Sequence, residues 1–119
     1  MSESAKVHIF ISKGRFQSME QLRKFVDENY TEDGDTEPSP FNNEVRISSF
    51  SPDHLQAIHK PQPVPVRELL ASAPHAEQFL TKLTAEKVAN VAICVYAPNV
   101  VRSPSSASIE YLGAFDYTE

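Results

Sequence analysis

Tryptophan is missing from this sequence, glycine occurs three times and cysteine once. The single thiol, Cys94, rules out an internal disulfide, and its place in the apolar run "VANVAICVYA" points to a reduced, buried cysteine. Gly14, Gly34 and Gly113 are too scattered to assemble a phosphate-binding loop or a dinucleotide fingerprint, so nucleotide-dependent chemistry is not expected. No apolar run approaches the length of a bilayer crossing, and the start "MSESAKVHIF" lacks the regions of a secretory signal. The expected location is therefore cytoplasmic, without a membrane partner.

Lysine and arginine are also absent from one stretch, "DENYTEDGDTEPSPF", residues 27 to 41, which holds the six carboxylates Asp27, Glu28, Glu32, Asp33, Asp35 and Glu37. Without those six, the 16 acidic residues of the chain fall to 10, against 11 basic ones. The net charge of -5 is thus one local feature. Such a patch argues against direct binding to nucleic acid.

What is present describes an ordinary globular chain. Its 119 residues, 40% hydrophobic and 23% charged, suit a single domain spanning residues 1 to 119 with one respectable core. "KVHIFIS", Lys6 to Ser12, is rich in β-branched residues and apolar on both faces, which predicts a central strand covered on each side. Ser18 with Gln21 has capping-box spacing, and Leu22, Phe25 and Val26 recur at helical intervals, predicting a helix from about Met19 to Asn29. Gly34, Pro38 and Pro40 make residues 31 to 40 a loop, so the acidic stretch begins on a helix end, where the macrodipole disfavours Asp27 and Glu28.

"NEVRISSF" alternates as a half-buried strand, and "SPDHLQAIHK" carries Ser51 and Pro52 in the positions that open a helix. "PQPVPVRE" is expected to be extended, and residues 66 to 72 to make a helical turn or two. Pro74 opens a further helix with Ala76, Phe79, Leu80 and Leu83 on one face. "KVANVAICVYA" and "ASIEYLGAFDYT" read as the last two strands, most simply paired as a C-terminal β-hairpin. The expected class is α+β, a small mixed or antiparallel sheet of about four strands with helices packed on it.

Catalytic and metal-binding patterns find little support. With Gly34 at the invariant glycine of an EF-hand, Pro40 falls where a bidentate glutamate is needed, leaving at most weak cation binding by Asp33 and Asp35. His54 and His59 are five residues apart and do not share a helical face, and Cys94 has no cysteine companion, so no zinc site and no cofactor is expected. His8 reads as a core histidine, and a thiol inside a strand is inert unless exposed and activated. Lys13, Arg15, Arg23 and Lys24 gather near the first turn and helix, where they suit a mixed polar face. A binding module is the remaining class.

The succession "VHIFIS", "FVDENYTEDGD", "SPFNNEV", "ANVAICVY" and "IEYLGAFDYTE" resembles the bacterial immunity protein twenty-two family of polymorphic toxin systems, from about Val7 to Tyr117. The elements that carry the resemblance are Tyr30 before the acidic loop, the turn Ser39 to Phe41, Asn90, and the closing Tyr111, Gly113, Phe115 and Tyr117. Two departures stand out: Phe10 lies where the family tends to have tryptophan, and "FSPDH" keeps only Asp53 of a usual pair of acids. The resemblance implies a non-catalytic α+β protein that binds and neutralises a cognate toxin, often a nuclease, encoded by an adjacent gene. It leaves the oligomeric state open.

On that reading Asp27, Glu32, Asp33, Asp35, Glu37 and Asp53 are expected to meet the toxin electrostatically, with Tyr30 and Phe41 as aromatic anchors. Core packing at the loop ends is the other role open to Tyr30 and Phe41. Two other classes remain: an adaptor using the proline-rich "KPQPVPV", Lys60 to Val66, and a small enzyme using Cys94 or His8.

Overall fold

Strand β1, Ala5–Ser12, is the axis around which the chain is organised. A computed structural model describes residues 5–14, 16–27, 29–30, 32–48, 54–83, 87–97, 99–103 and 109–117, with the backbone alone at 29, 30, 36 and 48. Val7, Ile9 and Phe10 have no solvent exposure, as expected of a strand with apolar residues on both faces. Two strands of equal length flank it, β6 (Val88–Val95) and β8 (Glu110–Tyr117), and β5 (Leu55–Pro65) pairs with the far side of β6. The order is β5-β6-β1-β8, with every neighbouring pair antiparallel. The class is α+β, as the sequence predicts.

The last two strands do not form a hairpin. β6 and β8 lie on opposite sides of β1, each antiparallel to it, so they run parallel to one another and cannot be joined by a tight turn. The connection between them passes through β7 (Val100–Val101), which pairs with β4 (Ile47–Ser48) in a separate two-stranded ladder.

Two core layers sandwich the sheet. On one side Val7, Ile9, Ile11, Ala92 and Cys94 meet Val66, Leu69, Leu70, Phe79 and Leu83. On the other side Phe10, Val91, Ile93 and Val95 meet Leu22, Phe25, Val26, Phe41 and Val45. The alternation of side chains along a strand serves both layers at once, which explains why "VAICV" has no polar position.

Helix α1, Met19–Val26, begins where its signals place it. The Ser18 hydroxyl accepts from the Gln21 N–H at 3.2 Å, and the Gln21 side chain accepts from the Gln17 N–H at 2.9 Å. It ends three residues earlier than the pattern suggests, because Asp27 turns to extended backbone and the chain enters β2, Asn29–Tyr30. Helix α2, Pro40–Val45, replaces the first half of the predicted strand at Asn43 to Phe50. Ser39 caps it, its hydroxyl accepting from the Asn42 N–H at 3.0 Å, and Pro40 starts it. Arg46 then adopts a left-handed φ of 54°, and the Asn42 side chain accepts from the Ile47 N–H at 2.8 Å, releasing the chain into β4.

Ser51, Pro52 and Asp53 lie outside the described residues, and the later part of the helix expected after them is strand. From Leu55 the chain is β5, because Ala57 and Ile58 bury on opposite sheet faces beside β6, in a strand register from Leu55↔Val95 to His59↔Val91. The proline-rich segment is extended as expected, though as the end of this edge strand, after a register shift between His59 and Val64. Residues 66–69 make one helical turn, α3. The helix predicted after Pro74 is two 3-10 turns, Ala76–Gln78 and Leu80–Lys82, because His75 sits at φ 61° and breaks an α-helical path. Its apolar face is retained: Ala76, Phe79 and Leu83 are buried and Leu80 is half-buried.

Candidate protein-interaction surface

The acidic stretch is a β-hairpin rather than a plain loop. β2 pairs with β3 (Thr36–Glu37) in the register Asn29↔Glu37 and Tyr30↔Thr36. Gly34 permits the reversal at φ +86°, and a side-chain carbon there would meet nothing within 4 Å, so the tip stands in open space. Glu32, Asp33, Asp35 and Glu37 are all exposed on this one device. Four like charges on one exposed segment give it a negative field.

The base of the hairpin is fixed at both ends. Val26 precedes it with no exposure, and Ser39 and Phe41 follow it, both also fully buried. The Phe41 ring lies edge-on to Phe10 at 5.0 Å and tilted against Phe25 at 5.6 Å. Of the two roles open to Phe41, packing at the end of the acidic segment is the one its position allows, since it presents no surface to a partner. Tyr30 is placed by its backbone in β2, and Asp53 lies outside the described residues.

Asp27 differs from the tip carboxylates. Its Oδ2 is 3.1 Å from Nε of Arg23, one helical turn earlier, while Lys24 reaches Glu20 at 3.8 Å. Arg23 and Lys24 in the last turn supply the cations the macrodipole favours there, so the charge at the helix end has a local explanation that the 27 to 41 window concealed. The structure thus brings Glu32, Asp33, Asp35 and Glu37 together and leaves Asp27 half-exposed at their base, paired with its own helix.

Asn90 is a polar residue whose role the spacing of the chain does not disclose. Buried in β6, its amide donates to the Phe16 carbonyl at 3.1 Å and its oxygen accepts from the Gly14 N–H at 3.0 Å, with a long contact of 3.5 Å to the Lys60 carbonyl. One side chain therefore ties the turn before α1 and the start of the proline-rich segment to the central sheet. Its signal was an asparagine inside an otherwise apolar run.

The residues considered for catalysis are kept apart. Cys94 is opposite Ile9 in the β1–β6 register, so His8, one residue along β1, points to the other face of the sheet. Burial pushes the Cys94 thiol up to about 12, and the group is fully enclosed. His8 Nδ1 lies 3.0 Å from the Tyr111 hydroxyl, and partial burial, reinforced by Lys6, lowers its pKa and favours the neutral ring. Among the described residues no three His, Cys, Asp or Glu side chains converge on a possible metal position. No described helix is long and apolar enough to cross a membrane.

The chain matches the model of the family described as Immunity protein 22 over residues 7–118. No curated protein and no solved structure matches it. The match covers nearly the whole chain, and the protein belongs to the Immunity protein 22 family, whose name assigns an immunity role.

Proposed function

We propose that this member of the family binds a cognate toxin domain and neutralises it by covering a basic surface with the 29–37 hairpin. The observation that carries the reading is the hairpin itself: four exposed carboxylates on a short two-stranded projection whose flanking residues are anchored in the core. A nuclease toxin fits this best, because the surface that binds its phosphate substrate must be positive. The hairpin occupies that surface and excludes the substrate without any chemical step. The pair meets in the cytoplasm, where the nucleic acid to be protected lies, and the toxin gene is expected beside this one.

Glu32, Asp33, Asp35 and Glu37 steer the encounter, and Asp27 adds to the field at the hairpin base. Tyr30 is the aromatic anchor within the device, and Asp53 contributes a further carboxylate. Phe41 acts from below, by holding the end of the segment.

The test is calorimetric titration against a catalytically inactive form of the neighbouring toxin domain at low and high salt. Tight binding that weakens with salt is expected. A variant with Glu32, Asp33, Asp35 and Glu37 all changed to lysine should lose most of that binding. Tight binding indifferent to both salt and the variant would place the contact elsewhere, and absence of binding would remove the toxin reading.

A further inference from the structure

The two edges of the main sheet are built differently. β5 carries Pro61, Pro63 and Pro65 and breaks register between His59 and Val64, so its outer side offers an interrupted row of donors. β8 contains no proline over its eight residues, and among the described residues β1 is its only strand neighbour. Its register shifts opposite Ile9 and Phe10, but from Gly113 to Tyr117 the ladder is regular, ending at Ala5↔Tyr117. Such a bulge shortens the usable edge without closing it.

Two further features bear on what this edge can accept. Half-buried Leu112 and Phe115 pack on one core layer and Tyr111 on the other, so apolar surface lies on both sides of the strand. Each carboxylate of β8 is covered by a lysine from elsewhere: Lys6 is 2.9 Å from Asp116, and Lys87 contacts Glu110. In a chain of net charge -5, this strip is one where two copies can approach without opposed carboxylates.

We propose that β8 is a self-association edge, on which residues 113–117 of two copies pair antiparallel about a two-fold axis and join two four-stranded sheets into one of eight. The prolines of β5 prevent the same growth at the other edge, so assembly closes at a dimer instead of continuing into a filament. Because the regular ladder is short, the dimer is weak and dissociates on dilution. This inference is independent of the toxin reading.

Sedimentation equilibrium on the whole chain from about 1 μM to about 1 mM tests it. The mass should double over that range. Ala114→Glu, at an exposed position that the two-fold pairing sets opposite Asp116 of the second copy, should raise the dissociation constant about tenfold or more by opposing like charges, while Pro63→Lys on the other edge should leave it unchanged. If Ala114→Glu fails to fold by circular dichroism, Ala114→Asp makes the same test with a shorter side chain against Asp116 of the second copy. Hydrogen exchange of the unaltered protein should show the β8 amides gaining protection with concentration. A monomer throughout, or a dimer indifferent to the β8 changes, would overturn the proposal. Protection of β8 only on adding the toxin domain would also overturn it, assigning the edge to a partner's strand.

Discussion

On one face of the sheet lie two capped helices, α1 and α2, with the acidic hairpin between them in the chain; on the other lie one helical turn and two 3-10 turns. Both layers bury a comparable set of large apolar side chains, with Phe10, Phe25 and Phe41 on the first and Phe79, Leu69, Leu70 and Tyr117 on the second. They differ in where they put polar groups. The helical face sends its charges outward on the hairpin. The other face turns hydroxyls inward: Tyr96 donates to the Pro74 carbonyl at 2.5 Å, and Tyr117 accepts from the Ala97 N–H at 3.2 Å. An inward hydroxyl fixes a turn, whereas the exposed carboxylates of the hairpin direct a negative field toward solvent.

The largest effect should come from emptying each core layer. Phe41→Ala and Phe79→Ala should each lower stability by about 3–5 kcal/mol in urea unfolding, since both rings are fully buried. At temperatures where both variants remain folded, only Phe41→Ala should also weaken toxin binding, because only it loosens the hairpin. Equal binding by the two variants would dissolve the functional contrast between the faces.

The inward face should also show itself at high pH. Desolvation raises the Cys94 pKa from 9.0 to about 12, against an opposing pull from its hydrogen bond with Tyr96. The folded state therefore favours the protonated thiol, and that contribution is complete below about pH 9 and lost as the pH climbs through about 12. Burial raises the Tyr96 pKa as well, which steepens the same decline. Unfolding measured across this window should show stability falling with pH and a shallower slope for Cys94→Ala. Identical slopes would show that the thiol does not take part.

Smaller effects should separate the two helix caps. Ser39 is fully buried at the hairpin's end and Ser18 caps α1 at a more exposed site, so Ser39→Ala should cost about 1–2 kcal/mol and Ser18→Ala about 0.5–1 kcal/mol. The smallest change in stability should come from the residues proposed to meet the toxin. Charge reversal at Glu32, Asp33, Asp35 and Glu37 should stay within about 0.5 kcal/mol of the parent protein, or stabilise it, while slowing toxin association tenfold or more at low salt. Stopped-flow association and chemical unfolding on the same variant separate the two. A destabilised variant would mean the carboxylates serve the fold.

The two Ser-Pro pairs show where local signals stop being sufficient. Ser39-Pro40 opens a helix whose Phe41 and Val45 pack in the layer of Phe10 and Phe25, whereas the chain that follows Ser51-Pro52 is strand from Leu55 onward. The residues after the second pair include Ala57 and Ile58, which bury beside β6 as a strand. A short helix has little stability of its own, so the layer it can join decides whether it exists. The hairpin 29–37 was hidden for a related reason: two-residue strands have no periodicity to detect, while their acidic composition was plain.

By itself the sequence determined the α+β class, the central strand at "VHIFIS", the start of α1, the burial of Cys94 and the confinement of excess negative charge to one segment. Each of these is written in neighbours along the chain, through alternation, capping or composition. Tertiary structure alone decided that β6 and β8 flank β1, that Asn90 ties the turn before α1 to the sheet, that Arg23 pairs with Asp27 and that Phe41 lies inside. Most of these depend on residues far apart in sequence meeting across a packed layer. Even the Arg23–Asp27 pair awaited the helix that places its partners one turn apart.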